Sequence, residues 1–189
     1  LDEKLDAIRD EAHKLLPVFG THGFEHTERV CRYCRRIGIA VGADLDVLLP
    51  AALLHDVGRD AADHAVESAD IARRILDSLG YGLEEVEAVV EAISTHSFTG
   101  EREPTSLEAK VLSDADKLDA MGALGICRAA TYGVEHGRPL GDFVAHFHEK
   151  LLKLRDRMYT EEARRLAELR HRFMLEFLYQ LDRELRLEA

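Results

Sequence analysis

Three short segments of this 189-residue chain carry side chains able to hold a metal ion, and each sets them among apolar neighbours. His55 and Asp56 are adjacent and close the run Leu53-Leu54-His55-Asp56-Val57-Gly58. His26 lies at helical spacing with Val30, Tyr33, Cys34 and Ile37, the pattern of an inward face. Asp116 stacks over Leu112 and precedes Ala120, again along an apolar stripe. A buried imidazole or carboxylate is costly without a partner, so these inward-facing groups are expected to meet one another. Any one of them alone would be an ordinary hydrogen-bonded residue; their shared placement is what points to a metal site. Mixed imidazole and carboxylate ligation suits a divalent ion such as Mn, Co, Ni, Fe, Mg or Zn, and incomplete protein ligation leaves room for water and substrate oxygens.

The elements that must position these groups read as helices throughout. Glycine and proline punctuate long helical patterns and no stretch shows sustained β-branched alternation, so the chain is predicted to be all-α, a single-domain helical bundle. An opening helix over about residues 2 to 16 ends before Pro17, and a loop through Gly20 and Gly23 leads into the His26 helix, which breaks near Gly38 to Gly42. Asp44 can cap the next helix and Gly58 stops it, with Pro50 either starting or kinking it. Ala65, Ala69, Ala72, Leu76 and Leu79 mark a third helix. Val86, Val89, Val90 and Ile93 mark a fourth, which delivers His96 inward. Thr105-Ser106-Leu107-Glu108 fits a capping box opening the Asp116 helix, and Met121 to Tyr132 continues as helix. Gly133 to Gly141 reads as a turn region, after which Phe143, Phe147, Leu151 and Leu154 line one face. Thr160 caps a long final helix whose apolar stripe, Ala163 to Leu185, either packs on the chain's own core or forms a homodimer seam.

One domain over 1–189 is expected, with the chemistry-bearing motifs in 22–120 and a helical C-terminal part over 140–188. The net charge of −11 argues against a general nucleic-acid surface, while small anionic substrates remain compatible through local cations. The longest apolar runs, such as Val47 to Leu54, are too short to cross a bilayer, and no charged-then-apolar leader opens the sequence. A soluble, cytoplasmic protein with no membrane partner is therefore expected. Cys31 and Cys34 sit one turn apart inside a helical pattern with no second ligand pair nearby, and read as reduced helix residues.

The order His, then His-Asp, then Asp resembles the HD superfamily of metal-dependent phosphohydrolases. His26-Thr27-Glu28-Arg29-Val30 looks like its HxxRV segment, and Ala51 to Gly58 looks like its signature helix. Leu112 to Ala120 resembles its final segment, in which the second Asp of Asp-Ala-Asp is the ligand, so the resemblance assigns that role to Asp116 rather than Asp114. Phe143 to Glu184 is similar to the tail of a bacterial and archaeal subgroup that includes nucleoside triphosphate pyrophosphohydrolases. The resemblance implies an HD-type bundle with a divalent ion on His26, His55, Asp56 and Asp116. It also implies roles for the intervening Asp60, His64, Glu67 and His96: a second metal in some relatives, placement of water and phosphate in others. Asp60 is the candidate for positioning the attacking water, and His64 and His96 for phosphate contact or proton transfer. His22, Arg29 and Lys117 are the candidates for binding substrate, with Phe24 and Phe98 offering apolar or stacking contact to a base.

Two departures from family patterns stand out. Arg59-Asp60 occupies the place where a branch acting on guanosine tetraphosphate carries Glu-Asp, which weakens that activity, and His22-Gly23 stands where His-Asp is allowed. The implied function is hydrolysis of a small phosphorylated substrate, a nucleotide such as a (d)NTP, to monophosphate and pyrophosphate. The alternatives are phosphomonoester or other phosphodiester hydrolysis, made less fitting for cyclic dinucleotides by the lack of a Gly-Tyr-Pro extension, and a non-catalytic nucleotide sensor, which the complete ligand set disfavours. His136, His146, His148 and His171 read as surface or packing residues.

Overall fold

The computed structural model describes residues 2–18, 20–97 and 102–188, and these are helical with no strand among them. The helices in chain order are α1 (Asp2–Leu15), α2 (Phe24–Val41), α3 (Leu45–Leu54), α4 (His64–Ser78), α5 (Leu83–Thr95), α6 (Leu107–Asp119), α7 (Gly122–Glu135), α8 (Leu140–Glu149) and α9 (Glu161–Leu185), with a 3-10 segment over Leu151–Arg157. The chain divides into two compact units, Leu1–Asp116 and Lys117–Ala189, the division falling inside α6.

In the first unit α3 packs against α1, α2, α4 and α5, a position dictated by its composition. Leu48 through Leu54 carry no polar side chain and all are buried, and a helix apolar on every side has to be surrounded. Asp44 caps α3 by accepting from the Asp46 N–H at 2.8 Å. Pro50 lies inside α3, so the helix does not begin there. It ends at Leu54, earlier than a stop at Gly58 implies, and residues 55–60 form a tight turn that presents His55 and Asp56.

Several boundaries differ from the sequence expectation. The α6 cap is Ser106, whose Oγ accepts from the Ala109 N–H at 3.1 Å; the Thr105–Glu108 box does not form, because Glu108 Oε1 accepts instead from the Asp44 N–H at 2.8 Å. Residues 120–121 interrupt what reads as continuous helix after α6, with Gly122 at φ +71°, a left-handed conformation that glycine adopts without strain. In the second unit α7 runs through Gly133 to Glu135, so the turn region there shrinks to residues 136–139. The second unit is built from α7, α8, the 3-10 segment and α9, with α9 packed on α7 and the 3-10 segment. Thr160 caps α9 through the Ala163 N–H at 3.3 Å. The α9 stripe splits. Ala163, Ala167 and Met174 are buried, while Phe173 and Leu185 are exposed.

Candidate metal centre

The side chains singled out by spacing converge in the first unit. α2 brings His26, the C-terminal end of α3 and its following turn bring His55 and Asp56, the end of α5 brings His96, and α6 brings Asp116. His26 Nε2 lies 3.4 Å from Asp116 Oδ1 and 3.7 Å from Asp56 Oδ2, and His55 Nε2 lies 3.8 Å from Asp56 Oδ2. Atoms that share one ion at ~2.0–2.2 Å stand ~3–3.5 Å apart, so this packing is close to what a divalent ion requires. Three overlapping sets keep their ligand atoms within 4.8 Å of one another: His22, His26 and Asp56; His26, His55 and Asp116; and His55, Asp56 and His96.

Hydrogen bonding settles the ring tautomers in favour of ligation. A carbonyl oxygen only accepts, so His55 Nδ1 donates to Ala52 O at 2.8 Å and His96 Nδ1 donates to Ile93 O at 2.6 Å. Each ring then presents Nε2 as a bare lone pair. His55 Nε2 is buried with no hydrogen-bond partner among the described residues, which is costly in a folded core and is what a metal ligand needs. The residues present therefore fit a metal. The charge states agree with this. Burial pushes the pKa of His55 and of His96 down, keeping both rings neutral. Burial alone would raise the Asp56 carboxyl, but His55, the His22 hydrogen bond, His26 and Arg59 outweigh it and hold Asp56 well below the usual range. Asp116 is likewise lowered, chiefly by His26, whose Nε2 stands 3.4 Å from its Oδ1. Neutral imidazoles and ionised carboxylates are the forms that bind cations.

Around this centre the other expected residues fare unevenly. His22 is half-buried and contacts Asp56 Oδ2 through Nδ1 at 3.1 Å. His64 opens α4, with Nε2 4.0 Å from Asp56 Oδ1 and its ring 5.8 Å from that of His96. Burial lowers the pKa of both His22 and His64. Asp60 is exposed in the turn and makes no hydrogen bond or ion pair among the described residues, so the structure does not bring it into the set. Arg29 is half-buried on α2, three residues beyond His26, and Glu67 is exposed on α4. Lys117 begins the second unit; it is buried, with Nζ 4.4 Å from the Tyr159 ring centroid, a cation–π contact. Phe24 meets His13 edge-on with ring centroids 4.7 Å apart, and Phe98 lies outside the described residues.

Sequence reasoning passed over Arg59 as a ligand-shell residue. Its Nη2 donates to His22 Nε2 at 3.1 Å and its Nη1 lies 3.5 Å from Asp56 Oδ1. The signal was the spacing: three residues after Asp56 is one turn on, where a cation can reach back to that carboxylate.

A family model described as HD domain matches residues 23–121, and the chain belongs to this family. Among the relatives, the uncharacterized protein YpgQ of Bacillus subtilis is 39% identical over 175 residues, covering 87% of this chain and 84% of YpgQ. The crystal structure of Bacillus subtilis YpgQ in complex with ADP superposes with a TM-score of 0.83 at 36% identity, covering 95% of this chain and 97% of that one. An HD-superfamily hydrolase from Bacillus thuringiensis gives a TM-score of 0.80 at 32% identity, covering 98% of each chain. Ribonuclease Y of Desulforamulus reducens is 31% identical over 107 residues, which is 57% of this chain but only 20% of that protein. No helix among the described residues is long and apolar enough to cross a membrane.

Proposed function

We propose that this protein is a metal-dependent phosphohydrolase that cleaves nucleoside triphosphates to monophosphate and pyrophosphate. The observation that carries the reading is the set of buried His26, His55 and Asp56 with half-buried Asp116, and a bare His55 Nε2 at its centre. A divalent ion on these four residues supplies Lewis acidity, lowering the pKa of water and offsetting charge on phosphate oxygens. The similarity to an ADP-bound relative over nearly the whole chain supports a nucleotide as substrate.

The chain's own groups then divide the work. Arg59, with 39% of its side chain exposed beside Asp56, is better placed than the buried Lys117 to bind the outer phosphates, and His22 orients it by accepting from its guanidinium. Arg29, half-buried three residues beyond His26, adds positive charge along α2. His64 and His96, each kept neutral by burial, contact phosphate or transfer a proton. Water attacks the α-phosphorus, the bond from that phosphorus to the bridging oxygen breaks, and pyrophosphate leaves; Asp60, exposed on the turn, is not in position to hold that water. Phe24 offers the base only apolar or edge contact, so discrimination among bases is weak: several (d)NTPs should react at rates within about tenfold of one another, the low end of the roughly 1–3 kcal/mol that such contacts are worth.

Phosphorus NMR of the products formed in heavy-oxygen water with Mn tests the reading. Label in the nucleoside monophosphate with release of pyrophosphate supports it, whereas tripolyphosphate or stepwise orthophosphate contradicts it. Cleavage of RNA in preference to mononucleotides would favour the ribonuclease-like alternative, which a chain of net charge −11 does not suit.

A further inference from the structure

The turn that presents Asp56 is fastened to the helix that presents His64 by a buried hydrogen bond. Gly58, two residues after Asp56, donates its backbone N–H to Ser68 Oγ at 2.9 Å in the interior. Ser68 is fully buried and lies one turn beyond His64 on α4, so the two side chains share a helix face. The backbones touch as well. A Cβ on Gly58 would stand 2.6 Å from Ser68 N and 2.8 Å from Glu67 C, so only glycine allows α4 to come this close. The position of His64 is thereby set from both sides. Asp63 caps α4 by accepting from the Val66 N–H at 3.3 Å, which fixes where the helix starts, and the Gly58–Ser68 bond fixes how that helix lies against the turn.

We infer that Ser68 is a positioning residue: its Oγ holds α4 in register with the His55–Asp56 turn and so keeps His64 at the edge of the metal set. It touches neither ligand nor substrate and acts through His64. Without the hydroxyl, the buried Gly58 N–H loses its acceptor, and the nearest remedy is for the start of α4 to draw back and admit water. His64 moves with it, while His55 and His96, held by Ala52 O and Ile93 O, stay.

The inference rests on the metal site proposed above, and the test separates the two. Mn(II) is titrated into the unsubstituted protein and into Ser68→Ala, and the paramagnetic broadening of each histidine ring resonance is measured by NMR, with melting temperature recorded alongside. Such broadening falls with the sixth power of distance. In Ser68→Ala the His64 signal should lose several-fold of its broadening while His55 and His96 keep theirs. Gly58→Ala, which crowds the same contact from the other side, should do the same, and it serves if Ser68→Ala does not fold. A lower melting temperature with His64 broadened as before would overturn the inference, leaving Ser68 a packing residue. Broadening of no histidine in the unsubstituted protein would overturn the metal site itself, and the purpose assigned to Ser68 with it.

Discussion

Each unit of the molecule buries charged and polar side chains, and the two treat them differently. In the second unit they are closed upon one another. Asp119 is fully buried and takes the Arg128 guanidinium at 2.9 Å, Arg170 donates to the Leu118 carbonyl, and Lys117 lies over Tyr159. In the first unit the buried His55 Nε2 is left bare, and the rings of His26, His55 and His96 stand in sequence 5.3 and 5.1 Å apart. A buried polar cluster whose bonds close is a structural device, whereas one whose lone pairs converge without protons between them is a ligand set. His171 marks the distinction. Its Nδ1 in the second unit is also buried without a hydrogen-bond partner, but no group of three metal-binding side chains forms around it among the described residues.

The contrast can be broken most forcefully at the open cluster. Asp56→Ala and His55→Ala should each abolish metal retention and reduce turnover by more than the ~10–100-fold typical of losing a supporting hydrogen bond, with helix content intact by circular dichroism. Elemental analysis of the unsubstituted protein should find a single tightly held ion per chain; a second at full occupancy on His64 and His96 would revise the roles given to those residues. The closed cluster should answer in the opposite currency. Asp119→Ala takes the buried carboxylate from the Arg128 ion pair and should destabilise the fold by about 3–5 kcal/mol in denaturant titration, while the metal bound per folded chain stays the same.

Removing the metal should separate the units next. An ion that binds only the folded state at ~100 times its dissociation constant adds about 2.7 kcal/mol, so chelation should lower the melting temperature and Mn should restore it. Asp119→Ala protein should show the same metal-dependent increment if the clusters are independent.

The smallest expected effect is on pH dependence, and its sign follows from the histidines. His22, His55, His64 and His96 all have lowered pKa values in the folded chain, chiefly through burial. Below about pH 6.5 the unfolded chain takes up protons that these folded rings refuse, so the metal-free protein should lose stability as pH falls through that range. Asp56 and Asp116, also lowered, add stability above about pH 3.9 that disappears only at still lower pH. Melting curves of chelated protein between neutral and mildly acid pH check this; a melting temperature rising toward acid would contradict it.

Much of this arrangement is legible in the sequence because it depends on period and punctuation. The inward faces of α2 and α6 and the apolar run Leu48 to Leu54 of α3 are written in residue spacing, and they carry His26, Asp116 and the His55–Asp56 pair to one place. What escapes is set by contacts between segments distant in the chain. Glu108 leaves its own helix cap to bond the start of α3, 64 residues away. Arg59 reaches His22 across 37 residues, a contact that neither local segment announces. Asp60 shows the converse. The family resemblance alone makes it a candidate for placing water, but α3 stops at Leu54 and the turn that follows leaves Asp60 exposed.

The central claim is that His26, His55, Asp56 and Asp116 hold one divalent ion. Anomalous diffraction from crystals of the Mn-loaded protein, collected at the manganese edge, tests it most directly. The account predicts a strong peak at ~2.0–2.2 Å from His26 Nε2, His55 Nε2 and oxygens of Asp56 and Asp116. A fully loaded crystal with no peak there, or with its peak on other residues, would contradict it.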